Sequence, residues 1–176
     1  HGRVPEQVDG LYFAGGFPEM FTEKLASNKA MLNSIKKVAV DGMPIYAECG
    51  GLMYFTQSIF SIDDKEHHMV GIFSGKASMM DRLEALSYTL AEVRRNNILS
   101  REGDMLHGHE FHYSKILDVS KDSRFAYKLK MGKGIINQKD GWLEYNTLAS
   151  YMHLHFAYNI KLVKNFIEAC SKYRRK

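Results

Sequence analysis

Residues Met43–Phe55 read MPIYAECGGLMYF, an apolar run interrupted by a glutamate, a cysteine and two glycines. Pro44–Ala47 has the composition of a buried strand end, and Leu52–Phe55 that of the first turns of a helix. Paired glycines between them mark a sharp strand-to-helix turn, because glycine reaches backbone conformations closed to other residues. Two readings of Cys49 are open: a structural thiol buried in a tight turn, or a nucleophile held at its apex.

Outward from this turn the pattern is α/β. VDGLYFAGG (Val8–Gly16) is a short hydrophobic strand ending in two glycines. The segment Pro18–Gly42 follows as helix, with Leu25, Met31, Leu32, Ile35 and Val38 at three- and four-residue steps and Asp41-Gly42 as its stop. GLMYFTQSI (Gly51–Ile59) leaves the Cys49 turn as a second helix. Strand, helix, strand and helix predict a parallel sheet with covering helices. From Met69 to Val119 the chain reads as short strands: MVGIF, ASMM, SYTLAEV and EFHYSKILDV. Arg94–Leu106 reads as a surface excursion, and MGKG and QKDGW as turn signals. LASYMHLHF (Leu148–Phe156) alternates as a strand before a closing helix from Asn159. No repeat or linker divides residues 1–176, so a single domain is expected.

Composition limits the function classes. A chain of 176 residues with 45% apolar and 12% aromatic content can bury a core. The formal charge of +4 owes much to the tail Lys172–Lys176, which reads as a solvated helix end. No interleaved basic and aromatic face points to nucleic acid, no apolar run reaches the roughly 20 residues of a membrane span, and no signal peptide opens the chain. Cys49 and Cys170 lie far apart without metal-ligand spacing, which fits a reducing cytoplasm.

The chemistry of the turn favours nucleophilic use. A thiol attacks as thiolate, and a position just before a helix offers unpaired N–H groups and part of the helix dipole. A sharp turn also lifts the side chain to where a substrate reaches it, as in the nucleophile elbow, which needs small flanking residues such as Gly50 and Gly51. The Gly50 N–H would point toward an oxyanion formed in acyl transfer. Cys170, at an apolar position of the last helix, reads as structural. Among the histidines, His1 is terminal, and His67 and His68 sit in the polar stretch DDKEHH. His107, His109 and His112 cluster without a thiolate or carboxylate set to complete a zinc site beyond Glu110. His153 and His155, two residues apart, would share one strand face. At the end of a parallel strand they would stand where open α/β sheets bind ligands.

DGLYFAGGFPE, GMPIYAECGGLMY, GHEFHYS and ASYMHLHF occur in the order and approximate spacing of the cobyrinic acid a,c-diamide synthases. The chain resembles the C-terminal class I glutamine amidotransferase domain of those enzymes, in the cobyric acid synthase subgroup, over nearly its whole length. The resemblance implies a three-layer, flavodoxin-like fold with a mostly parallel central sheet, here without its first strand. It implies Cys49 as nucleophile toward the glutamine amide and His153 as base, with His155 the alternative. Many class I amidotransferases carry a glutamate two residues after the base. His155 takes that place here, so a Cys–His dyad is expected. AGGFPE resembles the loop that completes the oxyanion hole, which implies Gly15 or Gly16 beside Gly50. GHEFHY resembles a border of the glutamine pocket, with Glu110 and His112 at its wall or at a domain interface.

By the same resemblance the chain would be a C-terminal fragment. The complete synthase carries an N-terminal domain that activates a carboxylate with MgATP, and no G-x-x-x-x-G-K-[ST] occurs here. No cofactor or metal is therefore expected in this chain. Its partners would be glutamine and the synthetase domain, which binds a corrinoid or a sirohydrochlorin such as the nickel form. Two other functions remain open: a cysteine hydrolase or peptidase of related fold, and a catalytically silent interaction domain.

Overall fold

A computed structural model describes residues 2–174. His1 and the end of the basic tail, Arg175 and Lys176, lie outside the described residues. In chain order the elements are β1 (Leu11–Phe13), a 3₁₀ turn (Pro18–Phe21), α1 (Thr22–Ser27), α2 (Lys29–Val40), β2 (Ile45–Glu48), α3 (Gly50–Phe55), β3 (Thr56–Phe60), β4 (Glu66–His68), β5 (Phe73–Met79), β6 (Ala85–Val93), β7 (Met105–His112), β8 (Ser114–Leu117), β9 (Arg124–Met131), β10 (Lys139–Glu144), β11 (Thr147–Ser150), β12 (His153–Leu154) and α4 (Ile160–Arg174).

Eight strands form one sheet in the order β1-β2-β11-β10-β9-β6-β7-β12, and β4-β3-β5-β8 form a second. In the large sheet β2 pairs in parallel with β1 and β11, and every other pairing is antiparallel. The sheet is thus mixed, and the expectation of a mostly parallel one is corrected. Parallel neighbours need long crossovers: the helical stretch between Phe13 and Ile45 joins β1 to β2, and the long stretch between Glu48 and Thr147, which carries the second sheet, joins β2 to β11. Short connections such as Tyr145-Asn146 between β10 and β11 join strands only as hairpins.

Alternation along β2 builds two cores. Ile45 and Ala47 join a cluster with Leu32 and Ile35 of α2, Leu52 and Phe55 of α3, and Ile59 and Phe73 of the small sheet. Tyr46 points the other way, into a cluster with Leu148, Met152 and Leu162, where Phe166 and Ala169 of α4 pack. Helices therefore lie on both faces of the parallel part of the sheet, and the turn after β2 emerges between the layers.

Several elements depart from the sequence expectations. The helix predicted over Pro18–Gly42 divides at Asn28, whose side chain accepts the Met31 N–H at 3.2 Å and caps α2. The helix after Cys49 ends at Phe55. Thr56 turns extended, its hydroxyl donates to the Met53 carbonyl at 2.7 Å, and Thr56–Phe60 becomes a strand. EFHYSKILDV splits between the two sheets at Tyr113, and β9 and β10 fill a stretch with no assigned strand. The supposed surface excursion buries Ile98 and Leu99, because the side-chain Oδ1 of Asn97 accepts the Leu99 and Ser100 N–H groups and folds that loop inward. His67 and His68 belong to β4 rather than to a loop.

Candidate active site

β2 delivers the chain to Cys49 in a strained conformation, with φ 48° and ψ −101°. Such a backbone costs on the order of 1–3 kcal/mol and persists only where its surroundings impose it. Here the Cys49 N–H donates to the Ser150 carbonyl at 2.8 Å, and the Cys49 carbonyl accepts the Met53 N–H at 3.0 Å. The glycines permit close approach. A Cβ at Gly50 would stand 2.5 Å from the Gly16 carbonyl oxygen, and one at Gly51 2.7 Å from that of Phe13. The loop after β1 is thereby pressed against the start of α3. In the same loop, a Cβ at Gly15 would lie 2.4 Å from Cε1 of His153. Cys49, Gly50, Gly15, Gly16 and His153, separate in the chain, come together.

The thiol is not a resting thiolate. Burial pushes the Cys49 pKa up to about 12; the Gly50 N–H opposes this, while the charges of Glu19, Glu48 and Asp140 reinforce it. In keeping with a protonated form, Sγ donates to the Phe111 carbonyl at 3.6 Å. This corrects the thiolate expected from the turn alone, because desolvation outweighs what one short helix end can supply.

His153 reaches the site through a turn that sequence patterning hides. β11 ends at Ser150, and buried Asp140 on β10 accepts the N–H groups of Tyr151 at 3.1 Å and Met152 at 3.0 Å. The chain then re-enters the sheet as β12, with His153 opposite His109 of β7. The two rings stack at 4.8 Å and 9°. Burial is the main influence lowering the His153 pKa, opposed by Glu48 and aided by His109, so the imidazole rests neutral at neutral pH. His155 does not share this setting, which corrects its expected place on the same strand face. It is exposed beyond the end of β12 and lines a separate cleft with Tyr88, His107, His109 and Tyr158.

Asp140 carries a stability prediction. Burial raises its pKa from the usual 3.8 to about 7, with the Met152, Gly141 and Tyr151 N–H groups opposing and Glu110 reinforcing. A raised folded-state pKa contributes stability that is full below the unfolded value and lost as pH rises through the folded one. Relative to an Asp140→Asn protein, the unsubstituted chain should therefore lose on the order of 4 kcal/mol between about pH 4 and pH 8. Melting curves of both chains check this, and a pH-independent gap would show that Asp140 titrates normally.

The remaining expected residues have other employment. Glu110 is fully buried, and its oxygens accept the N–H groups of Lys133 at 2.8 Å and Gly134 at 2.7 Å, so it fastens a turn. His112 stacks on Tyr151 at 3.7 Å, Nδ1 donates to the Ser114 carbonyl at 2.9 Å, and burial holds its pKa down to about 4. Along β7, His107 and His109 point to one face and His112 to the other. Among the described residues no three His, Cys, Asp or Glu side chains are grouped as a metal site. Cys170 packs on the backbone of Gly10. Sequence reading passed over Glu48, which is buried with its oxygens accepting the hydroxyls of Tyr12 at 2.7 Å and Tyr46 at 2.6 Å and the Leu154 N–H at 2.8 Å. An acid at the end of an apolar strand was the available signal, since buried carboxylates need partners.

A cleft of about 630 Å³ touches Gly16, Gly50 and Tyr54 and is lined otherwise by apolar side chains such as Phe17 and Phe21. Its size suits a small ligand.

Comparison with known proteins identifies the family and the fold. Residues 1–160 match the profile of the CobB/CobQ-like glutamine amidotransferase domain. A cobyrinate a,c-diamide synthase of Methanobrevibacter smithii is 45% identical over 152 residues, covering 85% of this chain and 33% of that protein. One from Dehalococcoides mccartyi is 44% identical over 167 residues, covering 93% and 36%. The chain thus spans about a third of the length of these relatives. A crystal structure of a glutamine amidotransferase superposes with TM-score 0.68 at 17% identity, over 94% of this chain and 81% of that one. PurLQS from Thermotoga maritima superposes with TM-score 0.64 at 13% identity, over 98% and 84%. These structural likenesses show the class I amidotransferase fold, and with the profile match they lead to one conclusion: the chain belongs to the family of CobB/CobQ-like glutamine amidotransferase domains.

Proposed function

We propose that this chain is the single glutamine-hydrolysing domain of a cobyrinate a,c-diamide synthase and works through a Cys49 thioester. The observation that carries the reading is the convergence on a strained, buried cysteine of a neutral histidine and of two glycine segments packed backbone to backbone. Cys49 and His153 both start uncharged. As glutamine enters, His153 takes the thiol proton while sulfur attacks the side-chain amide carbon. The N–H of Gly50, with that of Gly15 or Gly16, receives the oxyanion. His153 then gives its proton to the departing ammonia, and a water it deprotonates cleaves the thioester to glutamate and restores the thiol.

The ammonia would pass to the rest of a longer protein, where MgATP activates the a- and c-carboxylates of a corrinoid precursor. The support is that the named relatives are about three times as long as this chain. No G-x-x-x-x-G-K-[ST] motif occurs in this sequence, which supports placing the MgATP step outside these residues. Two free cysteines suit a cytoplasmic setting, and among the described residues no helix is long and apolar enough to cross a membrane.

The test is to supply glutamine alone. The chain should release ammonia without ATP, and should form no corrinoid amide when given ATP and free ammonia. Adding the N-terminal part of the full-length protein should restore amidation. Amide formation by this chain alone would overturn the division of labour, and absence of ammonia release would overturn the glutaminase reading.

A further inference from the structure

Glu48 is buried beside the reacting groups, and the steps above give it nothing to do. We propose that Glu48 is a positioning residue for His153. Its carboxylate holds the imidazole with hydrogen on Nδ1, leaving Nε2 to take the Cys49 proton, and steadies the imidazolium that results. The inference rests on the glutaminase reading of the same site.

The carboxylate is pinned from three strands. On Oε1 it accepts the Tyr46 hydroxyl at 2.6 Å and the Leu154 N–H at 2.8 Å; on Oε2 it accepts the Tyr12 hydroxyl at 2.7 Å. Tyr12 and Tyr46 are register partners on β1 and β2, and their rings stack at 5.5 Å and 6°, so both hydroxyls are aimed at one acid. Oε2 also stands 3.8 Å from Nδ1 of His153. One carboxylate thus grips the backbone of Leu154 and faces the ring of the preceding residue.

Charge separates this arrangement from ordinary core packing. An ionised carboxylate shielded from water is costly unless a cation or several donors compensate it. Among the described residues His153 is the one basic side chain within ion-pair distance of Glu48. All three hydrogen-bond donors on it are neutral, so Glu48 meets a positive partner only when His153 is protonated. At 3.8 Å the contact exceeds a hydrogen bond, but catalytic contacts in unliganded enzymes are often long and tighten with substrate. A carboxylate that orients a histidine base is a familiar solution, and neither its place in the chain nor the element that supplies it is constrained. Here it comes from the strand that ends in the nucleophile, whereas the position two residues after His153 holds the exposed His155.

The titratable groups bearing on the His153 ring are Glu48 from β2 and, from β7, His109 and the buried His112, with Tyr12 and Tyr46 acting on Glu48. Glu48 favours the charged ring and His109 disfavours it. In Glu48→Gln, kcat for ammonia release from glutamine should fall by roughly 10²-fold or more, with KM changed by less than about threefold. The acidic limb of the kcat/KM profile should move to lower pH, because the group that favours imidazolium has lost its charge. A merely structural Glu48 would lower the melting temperature and leave that limb in place. Unchanged kcat with an unmoved limb overturns the proposal. If the variant does not fold, ¹⁵N NMR of the His153 imidazole in the unsubstituted chain decides: hydrogen on Nδ1 supports the proposal, and hydrogen on Nε2 with bare Nδ1 overturns it. If the unsubstituted chain releases no ammonia, the glutaminase reading fails by itself, and the NMR result still judges Glu48.

Discussion

Cys49→Ser should leave no measurable glutamine-dependent ammonia release, a loss of at least about 10⁴-fold. The expectation rests on proton chemistry. The Cys49 thiol, held protonated by burial, still yields its proton to His153 far more readily than a serine hydroxyl would, and thiolate is the stronger nucleophile. Serine is nearly isosteric and shares the strained backbone, so stability should change by less than about 1 kcal/mol and the loss would be chemical. A glutamine-derived affinity label should modify Cys49 in preference to Cys170. Simple alkylating reagents should react slowly with Cys49, because a buried, protonated thiol waits for substrate and base. Labelling of Cys170 alone, or a serine variant that retains turnover, would return Cys49 to the structural thiol that was the other reading of its sequence.

His153→Ala should lower kcat by roughly 10²–10⁴-fold, the usual cost of removing a general acid–base. His155→Ala should change kcat by less than about threefold, since its exposed side chain lies in the cleft with His107 and Tyr158, away from the Gly15 contact. The assay is steady-state ammonia release, with melting temperatures to confirm equal folding. A larger effect at His155 would exchange the two assignments. The acidic limb of the wild-type profile should fall below the ordinary histidine range, because burial disfavours the charged ring more than Glu48 restores it.

Local sequence was enough for the elbow. Apolar residues before a cysteine, two glycines and apolar residues after it dictate a strand, a turn that tolerates close backbone approach and a helix, all decided within about ten residues. The helical first third likewise supplied the crossover that lets β1 and β2 pair in parallel, because a crossover needs length. Local pattern failed where distant contacts overrode it. Thr56–Phe60 left a helical run to pair with β5 in the second sheet. Leu148–Phe156 looked like one strand, but Asp140 captures the Tyr151 and Met152 N–H groups from another strand and redirects the chain, which parts His153 from His155.

The same difference in range explains the electrostatics. Thiolate character inferred from a helix start is a local argument, whereas the desolvation that keeps the Cys49 thiol protonated comes from layers contributed by the whole chain. Sequence order alone could name a cysteine, a pair of histidines and three glycines. Only the folded sheet placed Glu48 between two tyrosines and the backbone of β12, because register across β1, β2 and β11 brings together residues up to 106 positions apart.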